Sequence, residues 1–366
     1  MNKQAIYQPG YATFFEGKVI LITGSVGTVG DELIKQLLSF KPSEIRLYDN
    51  NESGLYMQVE GLKSQGSFVP ILGDVRDLGK LNTVMDGVDI VFHLAAYKHV
   101  YLCEYNPFDS VRTNVIGTQN VLMAALSNKV ERLLYTSTDK AVNPTNVMGT
   151  SKLLAERVVT ATSMQYLNGR GGRIFTTTRF GNVIGSNGSV VPVFAQQIKR
   201  GGPVTVTDER MTRFIMTAKE AARLVIKAMA IACGGEVFVT KMPVIRIIDL
   251  AEVMIELLAP VYGYSAADIK IDYVGVRPGE KLYEELLTEE EISRVVELDD
   301  MFSILPALKD NYNVAGFQYP NLVSQRVDRP YISKNETPLS KEGLKEYLLK
   351  NSIVSEYTNS TVNIIC

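Results

Sequence analysis

Hydrophobic and polar positions alternate in a regular rhythm along the first half of the chain. Short and almost continuously apolar runs, such as VILIT, DIVFHL and RLLYTS, are separated by longer stretches in which apolar residues recur with a helical period. Near-continuous apolarity is typical of strands in a parallel sheet that helices cover on both faces. The alternation therefore predicts an α/β fold with a doubly wound, Rossmann-like parallel sheet.

The rhythm predicts individual elements and a change of architecture near residue 180. Strands are predicted at 18–23, 44–48, 68–72, 89–94, 132–136 and 173–179, and helices at 29–40, 52–65, 106–127 and 147–166. Later pieces are shorter and separated by glycine-rich turns, with helices at 219–232, 248–258 and 341–350. We expect a Rossmann domain over 1–180, a smaller mixed α/β substrate domain over 181–295 and an extension over 296–366. A return of the chain to the first sheet within 181–295 stays open.

Composition narrows the classes of function. The chain of 366 residues is 46% hydrophobic and 21% charged, which is ordinary for a folded protein. Lys and Arg number 38 against 40 Asp and Glu, and no basic stripe is present, so nucleic acid is not an expected partner. No signal peptide opens the chain and no apolar run approaches the about 20 residues that span a bilayer. Three widely spaced cysteines indicate neither disulfides nor a metal site. We expect a soluble, cytoplasmic protein without membrane insertion.

A glycine-rich segment follows the first predicted strand and opens the first helix. In VILITGSVGTVG, Gly24, Gly27 and Gly30 have the spacing that closes a tight turn, admits a pyrophosphate and packs the helix on the strand. The amino end of the helix attracts negative charge. The segment predicts a dinucleotide site.

Two aspartates extend this predicted site. Asp49 ends the second strand, 19 residues after Gly30, where a carboxylate accepts ribose hydroxyls and repels a 2'-phosphate. This position favours NAD over NADP, although Arg46 is nearby and keeps NADP as an alternative. Asp74 ends the third strand with Val75 beside it, and is either a partner of the adenine amine or an ordinary helix N-cap.

Acid and base side chains cluster at the end of the fifth predicted strand. Thr138, Asp139 and Lys140 follow one another there, and Met148 and Lys152 lie on the next helix. Ligands of open parallel sheets bind at the carboxyl ends of the strands, so these groups are placed for proton transfer. Taken alone, Asp139 and Lys140 favour the plainer interpretation of a solvated pair on a loop.

Several longer strings resemble the extended short-chain dehydrogenase/reductase family, and within it the nucleotide-sugar 4,6-dehydratases of the polysaccharide-biosynthesis branch. They are LYDNNE, GDVRD, HLAAYKHV, NPFDSVRTNVIGTQNV, STDKAVNPTNVMGTSK, RFGNVIGSNGSVVPVF and RPGEKLYEEL. The resemblance covers about residues 18–287. It implies an NAD-dependent lyase that converts UDP-N-acetylglucosamine to a 4-keto-6-deoxy sugar nucleotide. Such an enzyme oxidises C4 by hydride transfer, eliminates water across C5 and C6, and returns the hydride to C6.

The resemblance also implies roles for particular residues. Lys140 removes the C5 proton, Asp139 protonates the departing C6 hydroxyl, and Thr138 hydrogen-bonds the C4 oxygen. Lys152 holds the nicotinamide ribose. The implied cofactor contacts further include Thr28, Val29, Val75, Ala95 and Ala96.

Position 148 departs from the family pattern. The usual residue four positions before the lysine is a tyrosine that acts as base on a sugar hydroxyl, whereas here it is Met148. A thioether is only a weak acceptor and is no base. The C4 hydroxyl proton therefore goes either to Asp139 directly or through a water to Lys152.

The substrate site is implied by the same resemblance. The matched residues are Lys98 and His99 beside the cleft, Asn182, Ser189, Val190 and Pro192 in a nucleotide-diphosphate loop, Arg213 and Arg277 as diphosphate clamps, and Glu280 at the nucleoside ribose. Guanidinium groups suit oxyanions because their donors form a rigid fork. The plainer alternatives are a surface salt bridge for Arg213 and a structural hydrogen bond for His99.

Other functions and an assembly stay open. They are a GDP-linked or C5-inverting dehydratase, a C4 epimerase, and a non-catalytic dinucleotide sensor. Relatives of this fold form homodimers, and the apolar content of 106–127 and 147–166 predicts that these helices pair with their copies. Burial of the same side chains inside the monomer is the alternative.

Overall fold

A computed structural model of the chain describes residues 9–63, 65–167, 172–186, 188–307 and 317–358. Contacts divide the chain into two units. The first contains the residues up to Phe180 together with Lys219–Lys241 and Leu287–Pro330, and the second contains Gly181–Ala218, Met242–Leu286 and the residues from Tyr331 onward.

Strands and helices of the described residues are numbered in chain order. The strands are β1 (Val19–Thr23), β2 (Glu44–Asp49), β3 (Phe68–Leu72), β4 (Ile90–His93), β5 (Arg132–Thr138), β6 (Ile174–Phe180), β7 (Asn182–Val183), β8 (Val204–Val206), β9 (Thr212–Met216), β10 (Val237–Thr240), β11 (Val244–Arg246), β12 (Ile271–Tyr273), β13 (Val295–Leu298), β14 (Met301–Ile304) and β15 (Leu322–Ser324). The helices are α1 (Pro9–Phe15), α2 (Thr28–Leu37), α3 (Glu52–Leu62), α4 (Leu78–Val84), α5 (Val100–Tyr105), α6 (Pro107–Ser110), α7 (Gly117–Ser127), α8 (Val147–Leu167), α9 (Val190–Lys199), α10 (Ala218–Ile231), α11 (Ile247–Leu258), α12 (Glu289–Ile292), α13 (Lys341–Lys350) and α14 (Ser355–Thr358).

The first unit is built on a ten-stranded sheet in the order β3-β2-β1-β4-β5-β6-β10-β14-β13-β15. Strands β3 to β10 in this order are parallel, and β14, β13 and β15 continue the sheet in antiparallel pairs. The order 3-2-1-4-5-6 is that of a doubly wound dinucleotide-binding fold, and the strand order reverses between β1 and β4. The predicted fold class is confirmed.

The apolar strands are explained by a core on the sheet face that α7 and α8 cover. Leu21, Val91, Leu133 and Phe175, one from each of four neighbouring strands, are fully buried together with side chains of α7 and α8 such as Val121. Burial of one such side chain stabilises the fold by about 1.5–3 kcal/mol. Strands that are covered in this way need apolar residues at nearly every position.

The second unit has its own core and two small sheets. The sheets have the orders β11-β9-β7 and β12-β8. Helices α9, α11 and α13 contribute buried residues to one apolar cluster, among them Phe194, Leu250, Met254 and Leu344. This unit therefore contains an independent hydrophobic core.

The structure differs from the sequence-based elements in several ways. Helices α4 and α5 were not predicted, because each is a short segment of six or seven residues. The predicted helix 106–127 consists of α6, a π-helical turn at Val111–Ile116, and α7. Residues 219–241 and 287–330 belong to the first unit, where β10, β13, β14 and β15 extend the sheet. The units are therefore discontinuous in sequence, and β10 lies in the first sheet, within the range 181–295 where a return of the chain was left open.

Candidate active site

The glycine turn lies between the carboxyl ends of β1 and β4. Gly24 has a φ of +74°, and a Cβ on it would lie 2.6 Å from the backbone nitrogen of Ala95. A Cβ on Gly30 would lie 2.5 Å from the carbonyl oxygen of Gly24. Gly27 occupies the N-cap position of α2, so Thr28 and Val29 form its first turn. The predicted glycines thus allow α2 to begin directly against the turn, at the point where the strand order reverses.

Asp49 is bound to this turn. Its Oδ2 accepts a hydrogen bond from the backbone N–H of Val26 at 3.1 Å, and its Oδ1 accepts one from Asn51 at 3.0 Å. Arg46 points elsewhere, since its Nη1 donates to the carbonyl oxygens of Val84 and Asp86, both at 2.7 Å. Arg46, the cation that could have bound the 2'-phosphate of NADP, therefore binds backbone oxygens instead.

Asp74 is paired with Arg76 and does not cap a helix. The Arg76 side chain and backbone N–H donate to the Asp74 carboxylate, and these hydrogen bonds hold its pKa below the ordinary value. Asp77 is the N-cap of α4 and accepts from the backbone N–H of Lys80 at 2.9 Å. The helix-cap alternative for Asp74 was wrong. Val75 is buried next to Gly117, where a Cβ would lie 2.8 Å from a Val75 methyl group.

The loop after β4 is fixed by an asparagine that the sequence analysis did not single out. Asn114 is buried in the π-helical turn, a type of irregularity that is frequent at functional sites. Its Oδ1 accepts from the Tyr97 N–H at 2.8 Å, and its Nδ2 donates to the Tyr97 carbonyl at 3.0 Å and to Ser151 Oγ at 2.9 Å. The loop that contains Ala95, Ala96 and Lys98 is therefore tied to α8.

Lys98 and His99 are both exposed. His99 occupies the N-cap position of α5, but its side chain makes no capping hydrogen bond there. The only other histidine, His93, is fully buried: Nδ1 lies 2.7 Å from Thr23 Oγ1 and Nε2 lies 3.0 Å from Thr118 Oγ1. Burial lowers the pKa of His93 to about 3, so its role is structural.

The structure brings Thr138, Asp139 and Lys140 into one hydrogen-bonded group. Asp139 is fully buried, and its Oδ1 accepts from Thr138 Oγ1 and from Lys140 Nζ, both at 2.9 Å. The other carboxylate oxygen, Oδ2, is buried and has no hydrogen-bond partner among the described residues. Complete burial of Asp139 excludes the solvated-loop alternative. A carboxylate with one paired and one unpaired oxygen can exchange a proton with a further group.

Helix α8 approaches this group through Gly149. A Cβ on Gly149 would lie 2.1 Å from the Lys140 carbonyl oxygen, so glycine is required there. Asn146 receives the Gly149 N–H on its Oδ1 at 2.7 Å and so satisfies one of the free amides at the start of the helix. Met148 is buried with 2% of its surface exposed. Gly149 was not identified from the sequence, although its place between Met148 and Lys152 was a signal.

Lys152 points back towards β5. Its Nζ donates to the Thr136 carbonyl at 2.6 Å and lies 4.2 Å from the centre of the Tyr135 ring. Burial lowers the pKa of Lys152 to about 7, although the charge of Glu156, one helical turn later, acts in the opposite direction. The ammonium and amine forms of Lys152 are therefore both populated near neutral pH.

In the second unit, Arg213 is committed to backbone oxygens. Its Nη1 donates to the Thr212 carbonyl at 2.8 Å and to the Leu282 carbonyl at 3.2 Å, and its Nη2 donates to the Lys281 carbonyl at 2.7 Å. The side chain is 10% exposed and its Nε lies 3.5 Å from a Glu284 oxygen. The alternative role of Arg213 in a surface salt bridge was therefore wrong. Arg213 holds the 281–282 segment.

The remaining predicted substrate residues lie on turns of the second unit. Arg277 is exposed and its backbone forms a turn with Glu280, whose N–H donates to the Arg277 carbonyl at 3.1 Å. Ser189 immediately precedes α9, which begins at Val190, and Pro192 follows in its first turn. The Ser189 hydroxyl is buried without a partner among the described residues. The Asn182 amide donates to the Phe214 carbonyl at 3.1 Å.

The strand order, the glycine turn and the adjacent acid and base define an extended short-chain dehydrogenase/reductase. The family described as polysaccharide biosynthesis protein matches residues 20–306, and the chain belongs to that family. The family resemblance seen in the sequence is confirmed.

Proteins similar to this chain fall into several groups. An uncharacterized membrane protein of Methanocaldococcus jannaschii is 49% identical over 92% of this chain and 97% of its own length. Capsular polysaccharide biosynthesis protein CapD of Staphylococcus aureus is 46% identical over 75% of this chain, which spans only 46% of CapD. A UDP-glucose 4-epimerase of Rickettsia canadensis is 35% identical over 93% of this chain and 98% of its own. In the part of this chain that the structure describes, no helix is long and apolar enough to cross a membrane.

Solved structures show the same fold. Pen from Bacillus thuringiensis has a TM-score of 0.86 at 42% identity, with 93% of this chain and 99% of Pen covered. DesIV, a dTDP-glucose 4,6-dehydratase from Streptomyces venezuelae with NAD and TYD bound, has a TM-score of 0.64 at 22% identity, over 72% of this chain and 86% of its own. The second likeness extends to the fold alone.

Proposed function

We propose that the protein is an NAD-dependent nucleotide-sugar 4,6-dehydratase that acts on UDP-N-acetylglucosamine. The observation that carries the proposal is the buried Asp139 carboxylate, which shares one oxygen with Thr138 and Lys140 and leaves the other unpaired. Elimination of water needs a base at C5 and an acid at C6, and the pair supplies both.

The protons that Asp139 and Lys140 can exchange fit an elimination. Transfer of a proton from Lys140 Nζ to Asp139 converts the ion pair into an amine and a carboxylic acid. The amine then takes the proton from C5 of the oxidised sugar, and the acid gives its proton to the departing C6 hydroxyl, which leaves as water. The step ends with an ammonium and a carboxylate, so the ion pair is restored. Thr138 donates its hydroxyl proton to Asp139, and its oxygen accepts the Lys140 backbone N–H at 3.4 Å.

The cofactor site fits a dinucleotide with two ribose hydroxyls. The glycine turn has no room for a Cβ at Gly24 or Gly30, and the Asp49 carboxylate lies at the turn while Arg46 is engaged elsewhere. Gly24, Gly27 and Gly30 would hold the pyrophosphate, and Asp49 the adenosine ribose. When bound, NAD supplies the acceptor and donor of the hydride that leaves C4 and returns to C6.

The proton of the C4 hydroxyl goes either to Asp139 directly or through a water to Lys152. The lowered pKa of Lys152 supports the relay, because an amine near its pKa can receive a proton at neutral pH. Met148 contributes shape rather than a base.

The decisive experiment incubates the purified protein with UDP-N-acetylglucosamine without added cofactor. We expect a product lighter by one water in mass spectrometry, and NAD+ in the nucleotide extract of the denatured protein. A UDP-glucose 4-epimerase among the relatives makes C4 epimerisation the second candidate, and that reaction changes no mass. A product of unchanged mass with an inverted C4 in the proton NMR spectrum would replace the dehydratase by the epimerase. Recovery of NADP alone would contradict the argument from Asp49.

The protein is also proposed to act as a homodimer. Ile116 and Met123 on the outer side of the π turn and α7, and Leu154 on α8, are 43%, 45% and 51% exposed. Two copies that pair these helices would bury such side chains, which is the usual solution in symmetric dimers.

A further inference from the structure

Helix α3 reaches the glycine turn through one buried amide. Gln58 is 9% exposed. Its Nε2 donates to the carbonyl oxygen of Ser25 at 2.8 Å and to Asp31 Oδ1 at 3.3 Å. Ser25 lies inside the turn and Asp31 lies in the first turn of α2. Gln58 therefore connects α3 with both parts of the predicted phosphate site.

The peptide group that Gln58 contacts is also held from its other side. The carbonyl of Ser25 and the N–H of Val26 belong to one planar peptide group. The Val26 N–H donates to Asp49 Oδ2 at 3.1 Å, while Gln58 binds the carbonyl. With one hydrogen bond at each end, this peptide plane cannot rotate without breaking one of them. Its orientation sets the path of the backbone into the first amides of α2.

The close approach of α3 depends on a glycine. A Cβ on Gly54 would lie 2.4 Å from a Val26 methyl group and 2.7 Å from the Asn51 side-chain nitrogen. Asn51 caps α3 by accepting the Gly54 N–H on its Oδ1 at 3.0 Å. Gln58 follows Gly54 by four residues and so lies on the same face of the helix. Gly54 therefore allows α3 to approach closely enough for the Gln58 amide to contact the glycine turn.

Packing alone does not explain a glutamine at this position. Both groups that face its nitrogen are acceptors, so the amide has one orientation, and Oε1 is then buried without a partner among the described residues. A buried polar atom without a partner destabilises a fold, and an apolar side chain of the same length would avoid that cost.

We propose that Gln58 is a positioning residue for the dinucleotide. It holds the Ser25–Val26 peptide so that the backbone amides after Gly24 keep the direction that a pyrophosphate requires. The inference rests on the proposed cofactor role of this turn. A pyrophosphate accepts hydrogen bonds from such amides, whereas adenosine has no phosphate and makes no use of them.

The test compares the binding of ADP-ribose and adenosine by calorimetry. Gln58→Met keeps the length of the side chain and removes both donors, Gln58→Lys keeps donors for both acceptors, and Gln58→Glu places an acceptor before two acceptors. Gln65→Met is the control, because Gln65 is an exposed glutamine whose Nε2 donates to the Gly61 carbonyl at 3.2 Å.

We expect Gln58→Met to weaken ADP-ribose binding about threefold to tenfold, the value of one net hydrogen bond. Adenosine affinity should change less than about twofold by the same reasoning. Gln58→Glu should lose more ADP-ribose affinity than Gln58→Met. Gln58→Lys and Gln65→Met should keep the parental ratio of ADP-ribose affinity to adenosine affinity. In the ligand-free Gln58→Met protein, removal of the unpaired Oε1 and loss of the hydrogen bond to the Ser25 carbonyl have opposite effects on stability, so the two ligand affinities are the readout.

Equal losses for ADP-ribose and adenosine, or parental ADP-ribose affinity in both Gln58→Met and Gln58→Glu, would overturn the role of Gln58. If the parent itself binds neither ADP-ribose nor NAD+, the proposed cofactor site fails, and the inference fails with it. Binding by the parent separates the two failures. Should Gln58→Met not fold, the comparison of Gln58→Glu with Gln58→Lys decides the same question.

Discussion

Replacement of Arg179 by methionine should strongly destabilise the first unit. Arg179 on β6 is 2% exposed and donates to both carboxylate oxygens of Glu156 on α8, at 3.2 and 2.8 Å. It also donates to both oxygens of Glu291 on α12, at 3.1 and 3.0 Å. The two glutamates are 3% and 5% exposed, so neither charge has water as an alternative partner. Arg179→Met leaves both of them buried without their cation.

The expected loss follows from this burial. Breaking a buried ion pair by removal of one partner costs about 3–5 kcal/mol, because the remaining charge is uncompensated. With a urea dependence of about 3 kcal/mol per molar, the midpoint of unfolding should fall by about 1–1.7 M. The control is Lys63→Met, which breaks the exposed Lys63–Glu60 pair and should cost less than about 1 kcal/mol.

The loss should also grow with pH. Burial by itself would raise the pKa of Glu291, but the charge of Arg179 and its hydrogen bonds keep that pKa below the ordinary value. In the parent, this carboxylate therefore contributes stability above its unfolded pKa, and the contribution disappears as the pH falls through the folded pKa. In Arg179→Met, burial is opposed only by the Thr288 N–H and the charge of Arg294, so the pKa of Glu291 should rise and stability should be lost as the pH rises. Parent and variant should differ least near about pH 4 and most near about pH 8.

Urea unfolding of both proteins at several pH values is the assay. A difference in free energy of unfolding below about 1 kcal/mol at pH 8 would refute the assignment of a buried ion-pair cluster, because exposed pairs have that value. A difference that is independent of pH would refute the charge argument. Adding Glu156→Gln and Glu291→Gln to Arg179→Met should recover part of the loss.

Three further predictions concern catalysis and assembly. Lys152→Met should lower the rate of dehydration about a hundredfold or more. It should also raise the free energy of unfolding at pH 6, since burial disfavours the Lys152 ammonium, whose pKa is about 7. Lower stability of the variant at pH 6 would contradict the pKa argument. Lys140→Ala should permit C4 oxidation but abolish exchange of solvent deuterium into C5. Asp139→Asn should leave the exchange detectable, because Lys140 can also lose its proton to water, and should slow water loss about a hundredfold to ten-thousandfold. Normal dehydration by Lys140→Ala would remove Lys140 from the mechanism. Met123→Glu should convert a dimer into a monomer in light scattering, and a parent that is already monomeric would count against the dimer.

The order of elements in the sheet was predictable because local and tertiary requirements agree there. Strands covered on both faces need apolar runs, and β1 to β6 begin and end within about two residues of the predicted bounds. The strands β13 to β15 were missed, because they pair at the edge of the sheet and are short and partly polar. Their partners are close in space but lie outside the repeating strand-helix pattern.

The place of the candidate catalytic residues Asp139 and Lys140 followed from a general rule, but their burial did not. The carboxyl ends of parallel strands are where ligands bind, so Asp139 and Lys140 were expected at the cleft. Whether they form a solvated pair or a buried one depends on Gly149, which allows α8 to reach the Lys140 carbonyl. That contact between separate elements has no local pattern in the sequence.

Arg213 and Arg277 show why residue type and spacing do not assign a role. Both are arginines within motifs of the family resemblance, and both were predicted to clamp a diphosphate. Arg213 donates to the carbonyl oxygens of Lys281 and Leu282, which lie 68 and 69 residues away in sequence. Arg277 is exposed. A guanidinium that donates to backbone oxygens has few donors left for an oxyanion. We therefore propose that Arg277 binds the diphosphate, whereas Arg213 holds the 281–282 segment. Arg277→Gln should then weaken UDP binding with unchanged stability, whereas Arg213→Gln should lower both.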